Sequence, residues 1–392
     1  MFKPLVFVVL AVLWVMPTAI TTSAQQPVTV TSVARGLNNP RGAAALPDGS
    51  LLVAETGLGT DEPGAATSTS GQISQLTDAN NDGDYNDVGE RAALLTGFPS
   101  YNSLDTIFTG HDEPFGLSDV LVLDDGRVFF NKDDPYFRTS RNTGDDLFFG
   151  DTGLFQMNDE RTDAAMFLKT AATVNSVAHD PARNVFYITE SGFNRVTAVT
   201  PNAETTTLAE FPLLANGQQA VPSGVAVDPA SGAVYAALFS GFIYDYYGTL
   251  LSYVPGDSKI VRIDAETGTL ADAVTGLTTC IDVATDPDGN LYFVELAVAW
   301  PLALTPFDFD LTDPTQLPDP GGYARYTGRV SVLRAESGAV DVLADGIDTP
   351  TNITYANGAL YVSRGLGTPG RKIWTPQGIE ALEGEILKIS GF

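Results

Sequence analysis

Over most of this chain, apolar and polar residues alternate one by one for about five positions, stop at a short turn of Asp, Asn, Pro and Gly, and then alternate again. A period of two marks a strand with one face buried, and two such runs around a tight turn make a β-hairpin. The clearest copy is CIDVATDPDGNLYFVEL, Cys280 to Leu296. It has runs at Ile281 to Thr285 and Leu291 to Glu295 around Asp288-Gly289, where glycine accepts positive φ cheaply. The unit recurs as AAALPDGSLLVAE from Ala43, VLVLDDGRVFFNK from Val120, SVAHDPARNVFYITE from Ser176, GVAVDPASGAVYAAL from Gly224 and NITYANGALYVSR from Asn352, six copies in all.

Each copy is followed by a third strand, from GQISQLT to EILKISG, and the first five by a fourth, such as RAALLTGF or AVDVLADGI. The sixth copy runs out of chain after Ile389. VTVTSVARGL, Val28 to Leu37, has the character of the other fourth strands and supplies the missing one. Four-stranded antiparallel units that share a sheet between the two chain ends predict an all-β fold: a six-bladed β-propeller whose N-terminal strand completes the last blade. A two-domain β-sandwich leaves the complementary ends unexplained. The single helical candidate is a short amphipathic stretch near Pro376 to Leu382.

In such sheets the loops after strands one and three leave one face and those after two and four the other. The long insertions, Thr56 to Ser70, Asp133 to Thr152, Phe239 to Ser258, Leu296 to Gly328 and Gly365 to Gly384, therefore share one face, and they are rich in Tyr, Phe, Trp and Pro. Aromatic loops on a rigid scaffold suit a small molecule, an extracellular polymer or a protein partner.

Composition narrows the setting. A net charge of −27 opposes encounter with nucleic acid or an anionic membrane surface. Residues 1–24 read as a secretory signal peptide, with Lys3, an apolar run from Leu5 to Met16, and small residues up to Ala24. That run is short for a membrane span, so residues 25–392 are expected as an exported propeller, extracellular or periplasmic. Cys280 is the only cysteine, and its place in an alternating strand predicts a buried thiol in a domain without disulfides.

One loop on the opposite face carries a calcium pattern. Asp78, Asn80, Asp82, Asp84 and Asn86 place oxygens at alternate positions, Gly83 occupies the sixth for the turn, and Asp87 or Glu90 is available to close the set. The twelfth position is Gly89 rather than Glu, and flanking helices are lacking.

Chemistry in a propeller gathers at the mouth of its central channel. The residues entering strand one align as Arg41-Gly42, Ser118-Asp119, Asn175-Ser176, Ser223-Gly224, Ile281-Asp282 and Thr351-Asn352, a polar and irregular ring. Those ending strand two are Glu55, Lys132, Glu190, Leu238, Glu295 and Arg364, with Glu on the odd blades; pairing between blades is the expected fate of such buried charge. His111, in GHDEPFG beside Glu113, lies on the loop leading to the second blade and is the acid–base candidate.

The segments VARGLNNPRGAAALPDGSLLVAETG, QAVPSGVAVDP, VTGLTTCIDVATDPDGNLYFVELA and TPTNITYANGALYVSRG together resemble the ScyD/ScyE family of secreted bacterial proteins, over nearly the whole mature chain. The resemblance implies an exported six-bladed propeller of the wider NHL-type and gluconolactonase-like group. The first blade is also similar to that of soluble quinoprotein sugar dehydrogenases. PSGVA resembles the PNG motif of gluconolactonase-like enzymes, with Ser223 where those carry a metal-binding Asn.

Two classes of function follow. One is a calcium-stabilised extracellular binding or scaffold protein. The other is an enzyme at the channel mouth: a metal-dependent lactonase or hydrolase using Glu55, Asp282 and Glu295 as its carboxylates, or a quinoprotein-like oxidoreductase with His111 as base, Glu113 beside it. Convergence of three or more of these oxygens would favour the hydrolase, and their neutralisation by neighbouring cations or backbone donors would favour the binder.

Overall fold

The computed structural model describes residues 27–59, 68–102, 113–133, 135–136, 148–149, 151–171, 173–241, 243–244, 250–298, 323–375 and 378–392. Six antiparallel sheets of four principal strands form the six blades of a β-propeller. The inner strands are Pro40–Ala45, Leu117–Val122, Val174–Asp180, Pro222–Val227, Cys280–Thr285 and Asn352–Ala356, and in each blade the second, third and fourth strands follow outward. In the fifth blade the hairpin pairs Val283 with Phe293 and Thr285 with Leu291, around a turn in which Gly289 takes φ +81°.

The sixth blade is completed as expected. Thr29–Leu37 lies antiparallel to Gly384–Ser390, with Thr29 opposite Ser390 and Ser32 opposite Leu387. That pairing joins the two ends of the chain and closes the ring.

Alternation explains where the core sits. Each strand turns successive side chains to opposite faces of its blade, so every blade feeds two hydrophobic wedges. Leu52 and Ala54 pack toward the second blade with Leu117, Val128 and Phe130, while Leu51 and Val53 pack toward the sixth with Tyr361 and Ile386. There is one buried wedge at each of the six seams. Cys280 is wholly buried in the wedge between blades four and five, as its alternation implied.

Hydroxyl groups tie neighbouring blades at the level of the inner strands. Thr56 donates to the Leu117 carbonyl at 2.6 Å, Ser118 to Val174 at 2.8 Å, Ser191 to Pro222 at 2.7 Å, Ser223 to Cys280 at 3.3 Å and Thr351 to Pro40 at 3.0 Å. Each bond crosses one seam.

Three details differ from expectation or refine it. The described part of the stretch near Pro376 to Leu382 is not helical: Gly378–Ala381 pairs with Lys372–Thr375 as two short antiparallel strands, and Gly378 at φ +129° is a conformation that a helix cannot hold. The only helical turn among the described residues is a 3₁₀ turn at Ser191–Phe193, which makes the short connection of the third blade. Three of the charges ending the second strands, Glu55, Glu190 and Arg364, pair within their own blades rather than between them. Glu190 lies opposite Arg195, and Arg364 opposite Glu385, so register alone brings opposite charges together at 2.6 Å in both cases. No helix among the described residues is long and apolar enough to cross a membrane.

Glu55 illustrates how completely such a charge is satisfied. Its side chain is 0% exposed and accepts hydrogen bonds from Arg91, Gln72, Ser74 and the Asn38 amide. Removing the cation strands that carboxylate in the sheet. Arg91→Ala should therefore cost about 2–3 kcal/mol, below the usual range for a fully buried pair because Arg91 is itself 30% exposed. Equilibrium denaturation checks this, and a loss under about 0.5 kcal/mol, the scale of an exposed pair, contradicts it.

Candidate functional site

The residues that enter the six inner strands, Arg41, Ser118, Asn175, Ser223, Ile281 and Thr351, all line one cavity of about 200 Å³ at the mouth of the channel. They meet there because every blade presents the same position of its first strand to the axis. Phe115, Phe239, Tyr253 and Tyr323 line it as well. Tyr253 and Tyr323 stack with centroids 5.5 Å apart and share a hydroxyl–hydroxyl hydrogen bond of 2.6 Å, and Phe239 stands edge-on to Tyr253 at 5.0 Å. Burial holds the Tyr323 phenol well above its ordinary pKa, so it is a neutral group. Leu296, Ala297 and Leu366 pack behind these rings. The aromatic part of the decorated face thus has a fixed base.

Arg41 is the cation of the mouth, and it is engaged: it donates to Glu113 at 3.4 Å and to the Pro114 carbonyl at 3.2 Å. Glu113, Asp133 and Asp282 are the carboxylates lining the cavity. No three acidic, histidine or cysteine side chains among the described residues are gathered closely enough to hold a metal ion.

One residue further along each inner strand lies a second layer, and it is regular where the sequence looked irregular. Reading round the ring, Gly42, Asp119 and Ser176 of the first three blades are matched by Gly224, Asp282 and Asn352 of the last three. Asp119 Oδ2 accepts from the Ser176 hydroxyl and the Val177 amide, both at 3.0 Å. Asp282 Oδ2 accepts from the Asn352 amide at 2.7 Å and the Ile353 N–H at 2.9 Å. Ser176 Oγ and Asn352 Oδ1 then accept from Val225 and Ala43 of the next blade, at 3.3 and 3.2 Å. The glycines complete the circuit by being empty. A Cβ on Gly42 would lie 2.5 Å from the Asp119 Cα, and one on Gly224 would collide with Asp282 Oδ1.

This layer floors the mouth. Below it a second cavity of about 300 Å³ opens toward the other face, lined by Asp119, His179, Ser176, Asn352 and Asp282. Asp282 borders both cavities, whereas Asp119 borders only the lower one. Burial raises both carboxyl groups above the usual range, Asp119 to about 6, and the negative charge of Asp119 pushes Asp282 further.

The residues singled out from sequence separate here. Glu113 and Asp282 line the mouth. Glu55 and Glu295 do not: Glu55 is enclosed by Arg91 and its neighbours, and Glu295 accepts from the Thr278 amide at 2.7 Å, with burial as the main cause of its raised pKa. His111 lies outside the described residues. Asp119 was missed as a site residue, although reading the second member of each aligned pair as its own column would have shown the two Gly-Asp-polar triplets.

The acidic loop is folded by its own side chains. Asp78 accepts from the Asp82 and Gly83 amides, at 3.1 and 3.0 Å, and Asn80, Asp82 and Asp84 each accept from the amide two residues on. Asp82 Oδ2 and Asp87 Oδ2 converge on one point, the Asn80 amide nitrogen, at 2.9 and 2.6 Å. Glu90 serves elsewhere: it is 2% exposed, and its two oxygens accept from the Ala79 and Asp87 amides at 2.9 and 3.0 Å. The loop is also a clamp on the closing strand, since the Tyr85 amide donates to Val33 at 2.7 Å and Asn86 Oδ1 accepts from the Arg35 amide at 2.9 Å.

Similar solved structures include a protein of unknown function from Bacteroides thetaiotaomicron, with TM-score 0.54, 11% identity, and coverage of 93% of this chain and 76% of that one. Another is a Trichoderma reesei protein of carbohydrate-active enzymes family AA12, with TM-score 0.52, 12% identity, and coverage of 96% and 100%. At such identities the likeness is one of fold alone. No curated protein matches the sequence. Residues 19–281, well over half of the chain, match the model of the SMP-30/gluconolactonase/LRE-like region. The chain belongs to the SMP-30/gluconolactonase/LRE-like family.

Proposed function

We propose that this chain is an exported binding protein, akin to the ScyD/ScyE group, that takes a small, largely apolar molecule into the mouth cavity. The observation that carries this reading is the character of the mouth ring: Arg41, Ser118, Asn175, Ser223, Ile281 and Thr351 contribute one paired cation and otherwise neutral side chains beside a wall of Phe115, Phe239, Tyr253 and Tyr323. Apolar walls with a few fixed polar groups orient a small organic ligand. A metal-dependent hydrolase or lactonase is the second reading, supported by family membership. Of its expected carboxylates only Asp282 lines the mouth, because Glu55 and Glu295 are occupied within their sheets. An oxidoreductase based on His111 draws no support from the described residues.

Calcium at the loop of residues 78–87 forms part of the same proposal. Asp82, Asp84 and Asp87 are the hard donors that would have to draw together around it, since they are not gathered as the loop stands, and the Asn80 side-chain oxygen and Glu90 are already committed to backbone amides. The ion would rigidify the clamp on Val33 and Arg35.

Two measurements test these statements. Metal-replete protein mixed with δ-gluconolactone should release protons no faster than buffer, while neutral aromatic probes should raise its melting temperature in a saturable way. Lactone turnover abolished by EDTA and restored by a divalent cation would contradict the binding reading. EDTA should also lower the melting temperature by several degrees, restored by calcium and insensitive to EDTA in Asp82→Asn/Asp87→Asn; an unchanged melt with no calcium in elemental analysis removes the calcium claim.

A further inference from the structure

The side chains of the mouth offer acceptors far more than donors. The seam hydroxyls that line it, Thr56, Ser118, Ser223 and Thr351, each give their one hydrogen to a carbonyl of the neighbouring blade. A hydroxyl spent in this way has only lone pairs left. Asn175 is fixed in the same sense. Ser191 gives its hydrogen to the Pro222 carbonyl at 2.7 Å, so it can only accept from Asn175 Nδ2, also at 2.7 Å. That sets the orientation of the half-buried amide and leaves its Oδ1 with no donor among the described residues.

Glu113 is the carboxylate of the cavity that can be reached. Its side chain is 17% exposed, whereas Asp133 and Asp282 are buried. The residues that follow it hold it in place: Pro114–Phe115 pairs with Tyr101 and Asn102, and Phe115 stacks on Tyr101 with ring centroids 5.7 Å apart. Its ion-pair partner among the described residues is Arg41, whose Nη2 lies 3.4 Å from Oε1 and also donates to the Pro114 carbonyl at 3.2 Å. A charge-assisted bond of this type is ordinarily about 2.7–2.9 Å long, so the pair is loose. Oε2 has no hydrogen-bond partner among the described residues. Beside the aromatic wall the negative charge prevails. Burial is the main reason the Tyr323 phenol keeps its proton, and Glu113 adds to that effect more than Arg41 takes away.

We propose that the molecule taken into the mouth is a small organic cation, an ammonium group on an apolar or aromatic body, with Glu113 as its counter-ion and Asn175 Oδ1 and Ser118 Oγ as further acceptors. The inference rests on the binding reading above and names the chemical class of its ligand. The three groups belong to one side of the mouth: Glu113 at the entry to blade two, Ser118 on the inner strand of that blade, and Asn175 next to the Val174 carbonyl to which Ser118 donates. An ammonium brings three donors and a positive charge, which is what spent hydroxyls beside a loosely paired carboxylate lack. An anionic ligand could meet Arg41, but it would also meet the carboxyl groups of Glu113, Asp133 and Asp282 around the same cavity. A neutral ligand would leave Glu113 no better paired than before. At long range the net charge of −27 draws cations toward the protein.

The test is calorimetric titration of the full mature chain at about 0.15 M salt, which screens diffuse attraction to the acidic surface. Three probes share one aromatic body: phenethylamine, phenethyl alcohol and hydrocinnamate. The amine should bind at a single site about tenfold more tightly than the alcohol, the scale of one hydrogen bond to a charged group, and hydrocinnamate more weakly than either. The alcohol should compete with the amine. Glu113→Gln should bring the ratio of amine to alcohol affinity close to one, and Arg41→Met should raise that ratio by removing the competing cation; a merely structural role for either residue would change all three affinities together. If the alcohol binds wild type as tightly as the amine, if hydrocinnamate binds most tightly, or if the preference for the amine survives Glu113→Gln, the inference is overturned while the binding reading stands. No saturable binding of any of the three contradicts the binding reading and the inference with it.

Discussion

The pairing of Thr29–Leu37 with Gly384–Ser390 is the constraint on which the rest depends. Without it the sixth blade has three strands, two exposed edges and an unfilled wedge against the first blade, where Val33, Ala34 and Leu37 are buried with Ala43, Leu51 and Ile386. Side chains reinforce the joint. Ser32 donates to Glu385 at 2.5 Å, Arg364 holds the same carboxylate from the other strand, and the acidic loop of blade one grips the backbone of Val33 and Arg35. A contact between residues so far apart in sequence carries a loop-closure cost, which the strand pairing and the filled wedge together offset.

Closure gives the channel its layers. Because all six blades are held at one radius, equivalent positions of the inner strands become rings: the mouth residues first, then the Gly-Asp-polar triplets beneath them. The second ring joins packing to chemistry, since its hydrogen bonds run from blade to blade while its carboxyl groups are withdrawn from water. The floor is thus both a structural hoop and a pair of carboxyl groups that burial holds above their usual pKa range.

Much of this was legible in the sequence because the information is local and repeated. The hairpin CIDVATDPDGNLYFVEL states its own strands and turn, and the observed strands Cys280–Thr285 and Leu291–Glu295 agree with it nearly to the residue. The terminal swap was legible because the last copy lacks a strand that the N-terminus supplies. Alignment of copies also found the mouth ring, since equivalent positions must face the axis. What alignment could not reveal is which charges meet. Glu190 with Arg195 and Arg364 with Glu385 depend on strand register within a blade, and Asp119 with Asp282 depends on burial across the channel. Glu90 is a similar case: an acidic residue near a calcium pattern reads as a ligand until its burial against two backbone amides is seen. The stretch near Pro376 to Leu382 read as the one helical candidate because a segment that brief carries almost no periodicity, whereas Gly378–Ala381 pairs with Lys372–Thr375 and the conformation of Gly378 decides against a helix.

The central claim, that the joined ends hold the whole ring and therefore the mouth, is tested most directly by native-state hydrogen exchange. If the account holds, amides of residues 29–37 that pair with 384–390 exchange with the same opening free energy as those of the inner strands in blades three and four, far from the joint. Exchange of the 29–37 amides through a small local opening, with the distant inner strands and the mouth tyrosines undisturbed, would contradict it.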